Sequence, residues 1–272
     1  MKFFKQIFDF YINSSIHVGL SCFALLRMTE QLFHISYQVA LGYFVFFGTV
    51  VGYNFVKYGQ LVQKQGQAIG FQLKMIVVFS ALSLLICGYL FFTLAYSTQM
   101  VSVLFLALTL LYTLPFFPNQ KNARNWAGIK IYVVALCWVG VTLFLPILNT
   151  EGTFADGLYV TAIQRFILIF VLILIFEIID LKLDDPHLKT VPQQIGVQRT
   201  KQIGVVLMVL FVLMEFLTPN FKMKFFLLKL ALALTTILFL VNANENRSRY
   251  YASFWVESIP IFWWLFLMVF SY

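Results

Sequence analysis

The sequence predicts an all-α, polytopic membrane bundle of about nine transmembrane helices, with residues 1–272 forming a single domain. Three observations predict it. Of 272 residues, 61% are hydrophobic and only 11% charged, more apolar surface than a soluble exterior can hide. The apolar residues come in nearly uncharged blocks, such as 75–95, 131–148, 166–179 and 225–241, that approach the length of a bilayer core. Their mixture of Leu, Phe and Ala lacks the alternation of barrel strands and favours helices.

The spans fall near 14–32, 35–57, 74–95, 99–116, 130–148, 159–180, 202–218, 225–242 and 254–271. The first is interrupted by His17, Arg27 and Glu30. Lys2 and Lys5 precede it, but aromatic residues begin at once with no small-residue cleavage pattern after them, so it does not read as a cleavable signal peptide. No break in composition divides the chain.

Basic residues set the expected orientation. With the N-terminus and the long polar loops in the cytoplasm, all but five of the 19 Lys and Arg lie inside, the exceptions being Arg27, Arg165, Lys222, Lys224 and Lys229. The net charge of +8 then reflects topology, and nothing further supports nucleic-acid binding. Cys22, Cys87 and Cys137 are odd in number, scattered through predicted spans, and read as small buried apolar residues. His17, His34 and His187 are too dispersed for a metal triad.

The segment from Glu177 to Pro192 carries the clearest chemistry. Glu177, Asp180 and Asp184 recur at i, i+3 and i+7, so a continuing helix puts three carboxylates on one face at the wet end of the sixth span. Such oxygens suit Mg²⁺, which prefers carboxylates, water and substrate phosphates. Pro186 stops the helix, and Lys189, Arg199 and Lys201 supply cations to the same loop. A plainer reading stands beside it: a helix leaving the membrane carries charges because it meets water, with Lys182 and Lys189 pairing the acids locally.

This stretch resembles the second aspartate-rich motif, Asp-x-x-Asp-x-x-x-Asp, of the UbiA-type membrane prenyltransferase superfamily. Glu177 stands for the first Asp, and Asp180 and Asp184 match the others. Lys189-Thr190-Val191-Pro192 with Ile195-Gly196 resembles the family's chain just after that motif. A second similarity lies beyond the fourth span, in Tyr112-Thr-Leu-Pro115, Lys121 to Arg124, and Gly128-Ile129-Lys130. The resemblance implies a central cavity that binds an isoprenoid diphosphate, with Mg²⁺ as cofactor and a lipophilic acceptor capturing the allylic cation. It implies Glu177, Asp180 and Asp184 as metal ligands. Lys57, Arg124, Lys130 and Lys189 become candidate diphosphate contacts, and Asn54 and Tyr112 candidate polar cavity residues. No catalytic base is indicated.

The family's first motif, Asn-Asp-x-x-Asp-x-x-x-Asp, fails at the expected place. Asn54 matches, but Phe55, Tyr58 and Val62 occupy the three aspartate positions. Lys57 then has three readings: an ammonium replacing one metal ion, a neutraliser of the acidic cluster, or a lysine snorkelling to the headgroups. The activity accordingly has an alternative, a non-catalytic protein of the same fold binding a lipid, quinone or partner; a transporter ranks behind both. Glu215 and Glu257 are acids within or beside spans that line the cavity or meet water at span ends, and residues 242–247 read as a solvated loop.

Overall fold

A computed structural model describes residues 2–65, 70–113, 128–150, 156–184, 188–219 and 221–270, and its regular elements are all helices. They are α1 (Lys2–Asn13), α2 (Ile16–Leu32), α3 (Val39–Gln65), α4 (Phe71–Phe91), α5 (Tyr96–Thr113) and α6 (Ile129–Val139). A π-helical turn, Gly140–Phe144, carries α6 into α7 (Leu145–Leu148). Then come α8 (Leu158–Ile179), the short α9 (Val191–Ile195), α10 (Val197–Leu213) and α11 (Met223–Asn242), and a π-helical stretch, Tyr251–Val256, leads to α12 (Ile259–Phe270).

Among the described residues, seven helical segments are long and apolar enough to cross a bilayer, so the chain is an integral multi-pass membrane protein. The sequence predicts nine. The two below that length are α2, of 17 residues with Arg27 and Glu30 inside it, and α5, whose apolar part is Tyr96–Leu111. Two boundaries differ from expectation. The helix predicted from residue 202 begins at Val197, so Arg199 and Lys201 stand on its first turns rather than in the loop. The chain also breaks at Ser14-Ser15, with Ser15 in the left-handed region at φ 62, leaving α1 as a separate helix. Phe3, Phe4 and Ile7 of α1 are exposed, while Phe8 packs on Tyr250 and Phe254 and Phe10 on Phe79.

α8 is the central post: 72% of its span is buried, against 11% for α4, whose Leu82, Leu84, Leu85 and Tyr89 face outward. That inside-out distribution is what lipid allows, because leaving lipid gains an apolar side chain nothing. Cohesion then rests on close packing and polar bonds. At Gly140, a Cβ would stand 1.8 Å from the Phe105 ring, so only glycine lets that ring seat against the π turn. At Gly42 a Cβ would stand 1.9 Å from the Arg27 guanidinium.

Several buried polar groups answer one another. Pro146 has no amide hydrogen for the carbonyl four residues back, that of Thr142. The π turn absorbs the mismatch, and the freed Thr142 carbonyl accepts from Thr29 Oγ1 (2.7 Å) and Arg165 Nη1 (2.8 Å). Arg165 also donates to Thr29 Oγ1 (2.6 Å), so it ties α2, the π turn and α8 together. The charges interrupting the first span are paired: Arg27 Nη1 meets Glu30 Oε2 at 2.5 Å, and Glu30 Oε1 accepts the Gln38 amide at 3.1 Å. Lys229 forms a buried ion pair with Glu215 and donates to Gln164 Oε1 at 2.8 Å. Glu215 is therefore enclosed in the bundle rather than watered at a span end.

Candidate functional site

The C-terminal half of α3 supplies one group. Asn54 is buried; its Nδ2 donates to the Ser14 carbonyl (3.0 Å) and Ser80 Oγ (2.8 Å), and its Oδ1 accepts from Ser15 Oγ (2.8 Å). Lys57 lies one turn on and donates from Nζ to Ser15 Oγ at 3.1 Å. The break between α1 and α2 thus supplies the polar atoms that hold both. Of the three positions without aspartate, Phe55 is exposed, Tyr58 donates to the Asn13 carbonyl (3.0 Å), and Val62 is half-buried.

Lys57 and Glu257 lie within electrostatic range of one another without forming an ion pair. Both are partly exposed, as is Tyr53. Glu257 follows the π-helical stretch and precedes Pro260, the same device that shapes Gly140–Phe144. Its amide donates five residues back, to Ala252 O (3.1 Å), and its carbonyl accepts from Ser21 Oγ of α2. Sequence reasoning left Glu257 between lining the cavity and meeting water at a span end. The signal that could have found it is the proline three residues on, which marks a disrupted turn around an intramembrane acid.

The second group closes α8. Glu177 is buried and its Oε2 accepts the Val191 amide at 3.0 Å, anchoring α9. The helix ends at Ile179, not at Pro186 as the spacing predicts; Asp180 is its C-cap. One further turn is closed by bonds from the Leu183 and Asp184 amides to the Asp180 carbonyl, at 2.7 and 2.9 Å. Burial, then the neighbouring Asp184 charge, push the Asp180 carboxyl above its usual range, and Lys130 opposes them. Lys130 also acts on Glu177, so this lysine offsets both acids. Asp184 Oδ2 is buried with no hydrogen-bond partner.

Lys189 is exposed and left-handed at φ 45, with its carbonyl held by Gln194 Nε2 at 2.5 Å. The Thr190 amide donates to Gln193 Oε1 (2.9 Å), starting α9 beside Pro192. Lys182 reaches across to Glu245 (3.2 Å) and Asn246 Oδ1 (2.6 Å), so residues 242–247 border this end as a partnered loop. Arg124 and the side chain of Tyr112 lie outside the described residues.

Asp180 and Asp184 fit one oxygen-ligated cation, with the unpartnered Asp184 oxygen as the free donor. Magnesium keeps several waters and needs few protein ligands. No group of three or more His, Cys, Asp or Glu gathers as a cage among the described residues.

Solved structures share this chain's fold over nearly its whole length. An apo UbiA homolog from Aeropyrum pernix K1 superposes with TM-score 0.66 at 13% identity, covering 94% of this chain and 99% of that one. This is the UbiA fold. A UbiA homolog from Archaeoglobus fulgidus bound to Cd²⁺ shares the UbiA fold with this chain at TM-score 0.60 and 12% identity, over 96% and 100%. A digeranylgeranylglyceryl phosphate synthase does so at 0.57 and 12%, over 97% and 96%. No protein-family model and no curated protein sequence matches the chain.

Proposed function

We propose that the chain is a UbiA-type membrane prenyltransferase that moves an isoprenoid from its diphosphate to a lipophilic acceptor. The observation carrying this reading is the buried, unpartnered Asp184 oxygen beside Asp180 and opposite Lys130, at one end of a UbiA-fold bundle. Asp180 and Asp184 would hold Mg²⁺, with Glu177 supporting them through α9. Bound there, the cation supplies positive charge to the departing diphosphate. Lys57, Lys130, Lys189 and Arg124 are the cations for the diphosphate oxygens, stabilising the charge that grows there as the allylic bond breaks. Lys57 stands where the motif loses its carboxylates, so its ammonium takes the role of a second metal ion. Asn54 fixes the turn that holds Lys57, and Tyr112 is a polar cavity residue. This end of the bundle, with the N-terminus, faces the cytoplasm, where the positive-inside rule puts the basic loops.

A second reading, a UbiA-fold protein that binds a lipid, quinone or partner without turnover, is favoured by Phe55, Tyr58 and Val62 at the motif's acidic positions. One experiment separates the two: binding of polyprenyl diphosphates to the purified protein with and without Mg²⁺, beside Asp180→Ala/Asp184→Ala. Mg²⁺-dependent binding abolished by the double variant supports the transferase. Absence of binding at every chain length, with the protein folded, supports the second reading.

A further inference from the structure

We propose that the outer seam between α10 and α11 is a binding site for a bilayer phospholipid with an anionic headgroup. Lys201 receives the phosphate, and a hydrocarbon chain lies along the seam. None of these residues belongs to the proposed transfer site, so the seam stands independently of that reading.

On α10, Gln198, Gln202, Val205, Val209 and Val212 recur at spacings of three and four and share one face; Leu230, Leu234, Ile237 and Val241 do the same on α11. These stripes flank two hollows that follow one another along the seam. The first, of about 390 Å³, has Gln198, Lys201 and Gln202 in its lining together with Val205, Val206 and Val241. The second, of about 180 Å³, is lined by apolar residues throughout, with Met208 and Ala233 buried at its floor. Ala233 puts a single methyl where a longer side chain would fill the space. Direct helix contact backs the seam at Gly204, where a Cβ would stand 2.4 Å from Leu240. The rims face outward: Val206, Val209, Leu234 and Val241 are all exposed, and in a bilayer such a face meets lipid.

Chemistry changes along the seam in the order of an amphiphile. The polar residues gather where the apolar span begins at Val197, at headgroup depth, and only apolar ones follow. From Gln198 to Leu213 the seam runs about 22 Å along α10, against about 15 Å of hydrocarbon in one leaflet. Lys201 Nζ donates across the seam to the Val241 carbonyl at 2.7 Å, which fixes the ammonium at the polar end and leaves two further donors. Among the described residues no carboxylate forms an ion pair with Lys201, and Glu245, the acid of the loop after α11, is paired with Lys182. Arg199 is exposed near Lys201, and Arg247 Nε donates to the carbonyl of Asn242, next to Val241, at 3.1 Å. This end is therefore positive, which favours an anionic headgroup over a zwitterionic one that brings its own ammonium.

The test titrates the full chain in mixed micelles with phosphatidylglycerol or phosphatidylcholine of identical chains and reads retained lipid by native mass spectrometry. Phosphatidylglycerol is expected to bind about tenfold more tightly, and Lys201→Gln should erase that preference. Val209→Trp fills the apolar hollow from a rim residue that is 50% exposed, so the fold keeps its core, and should weaken phosphatidylglycerol binding about tenfold. Leu210→Trp, 46% exposed on the lipid face outside the seam, should leave binding unchanged. Equal retention of the two lipids by the wild type overturns the proposal without any variant. A preference that survives in folded Lys201→Gln overturns it too, as do equal effects of Val209→Trp and Leu210→Trp. Displacement of the lipid by glycerol phosphate, which has the headgroup without the chain, would reduce the site to an anion contact and likewise overturn it.

Discussion

Lys229→Met removes the cation from a pair whose side chains are 8% and 4% exposed, leaving Glu215 enclosed with Gln164 as its remaining partner. Stranding a buried charge in this way costs about 3–5 kcal/mol, because the desolvation of Glu215 is no longer offset. Glu215→Met should cost a similar amount by stranding Lys229. Replacing both by Met removes the attraction and both desolvation penalties together, so the double variant should lie within about 1 kcal/mol of the wild type. The coupling energy is then several kcal/mol, far above the roughly 0.6 kcal/mol typical of a neutral polar contact in a membrane bundle. Reversible unfolding in mixed micelles, titrated with a denaturing detergent, measures all four corners of the cycle. Additive losses, with the double variant as damaged as the sum of the singles, would refute the reasoning.

Gly140→Ala drives a methyl into the Phe105 ring at the π turn and should destabilise by about 1–3 kcal/mol in the same assay. Lys57→Ala should weaken Mg²⁺-dependent prenyl diphosphate binding about tenfold, the loss of one charged contact; unchanged affinity would show that Lys57 does not substitute for a metal. The Tyr250 hydroxyl bond, helped by Arg249, holds the Asp9 carboxyl below the usual carboxylate range. A depressed acid contributes stability that is present above its unfolded value of about 4 and lost as pH falls through the folded value. Hydrogen exchange of α1 should therefore accelerate below about pH 4, and Asp9→Asn should abolish that dependence.

Much of the fold was legible because lipid imposes a simple rule: a spanning segment must be long, apolar and internally hydrogen-bonded. Blocks such as 75–95 and 225–241 obey it, and α4 and α11 match them closely. The acidic segment was legible too, since Glu177, Asp180 and Asp184 carry their chemistry in their side chains and their spacing. Its geometry was not. The i, i+3, i+7 ladder assumes a helix that continues, whereas α8 ends at Ile179 and a single closed turn carries the chain to Asp184.

Other features depend on partners remote in sequence, which no local pattern encodes. The left-handed Ser15 binds Asn54 and Lys57 some forty residues away, and Arg165 answers a carbonyl freed by Pro146. In sequence Glu257 reads as an acid lining the cavity or at a span end; the packing of α2 and α8 against its π-helical stretch sets its surroundings. Apolar length and acidic spacing are properties that each segment carries alone, so they can be read without knowing any neighbour. Which buried charges are paired was settled by folding, because desolvation and pairing are set by neighbours that only the packed bundle brings together.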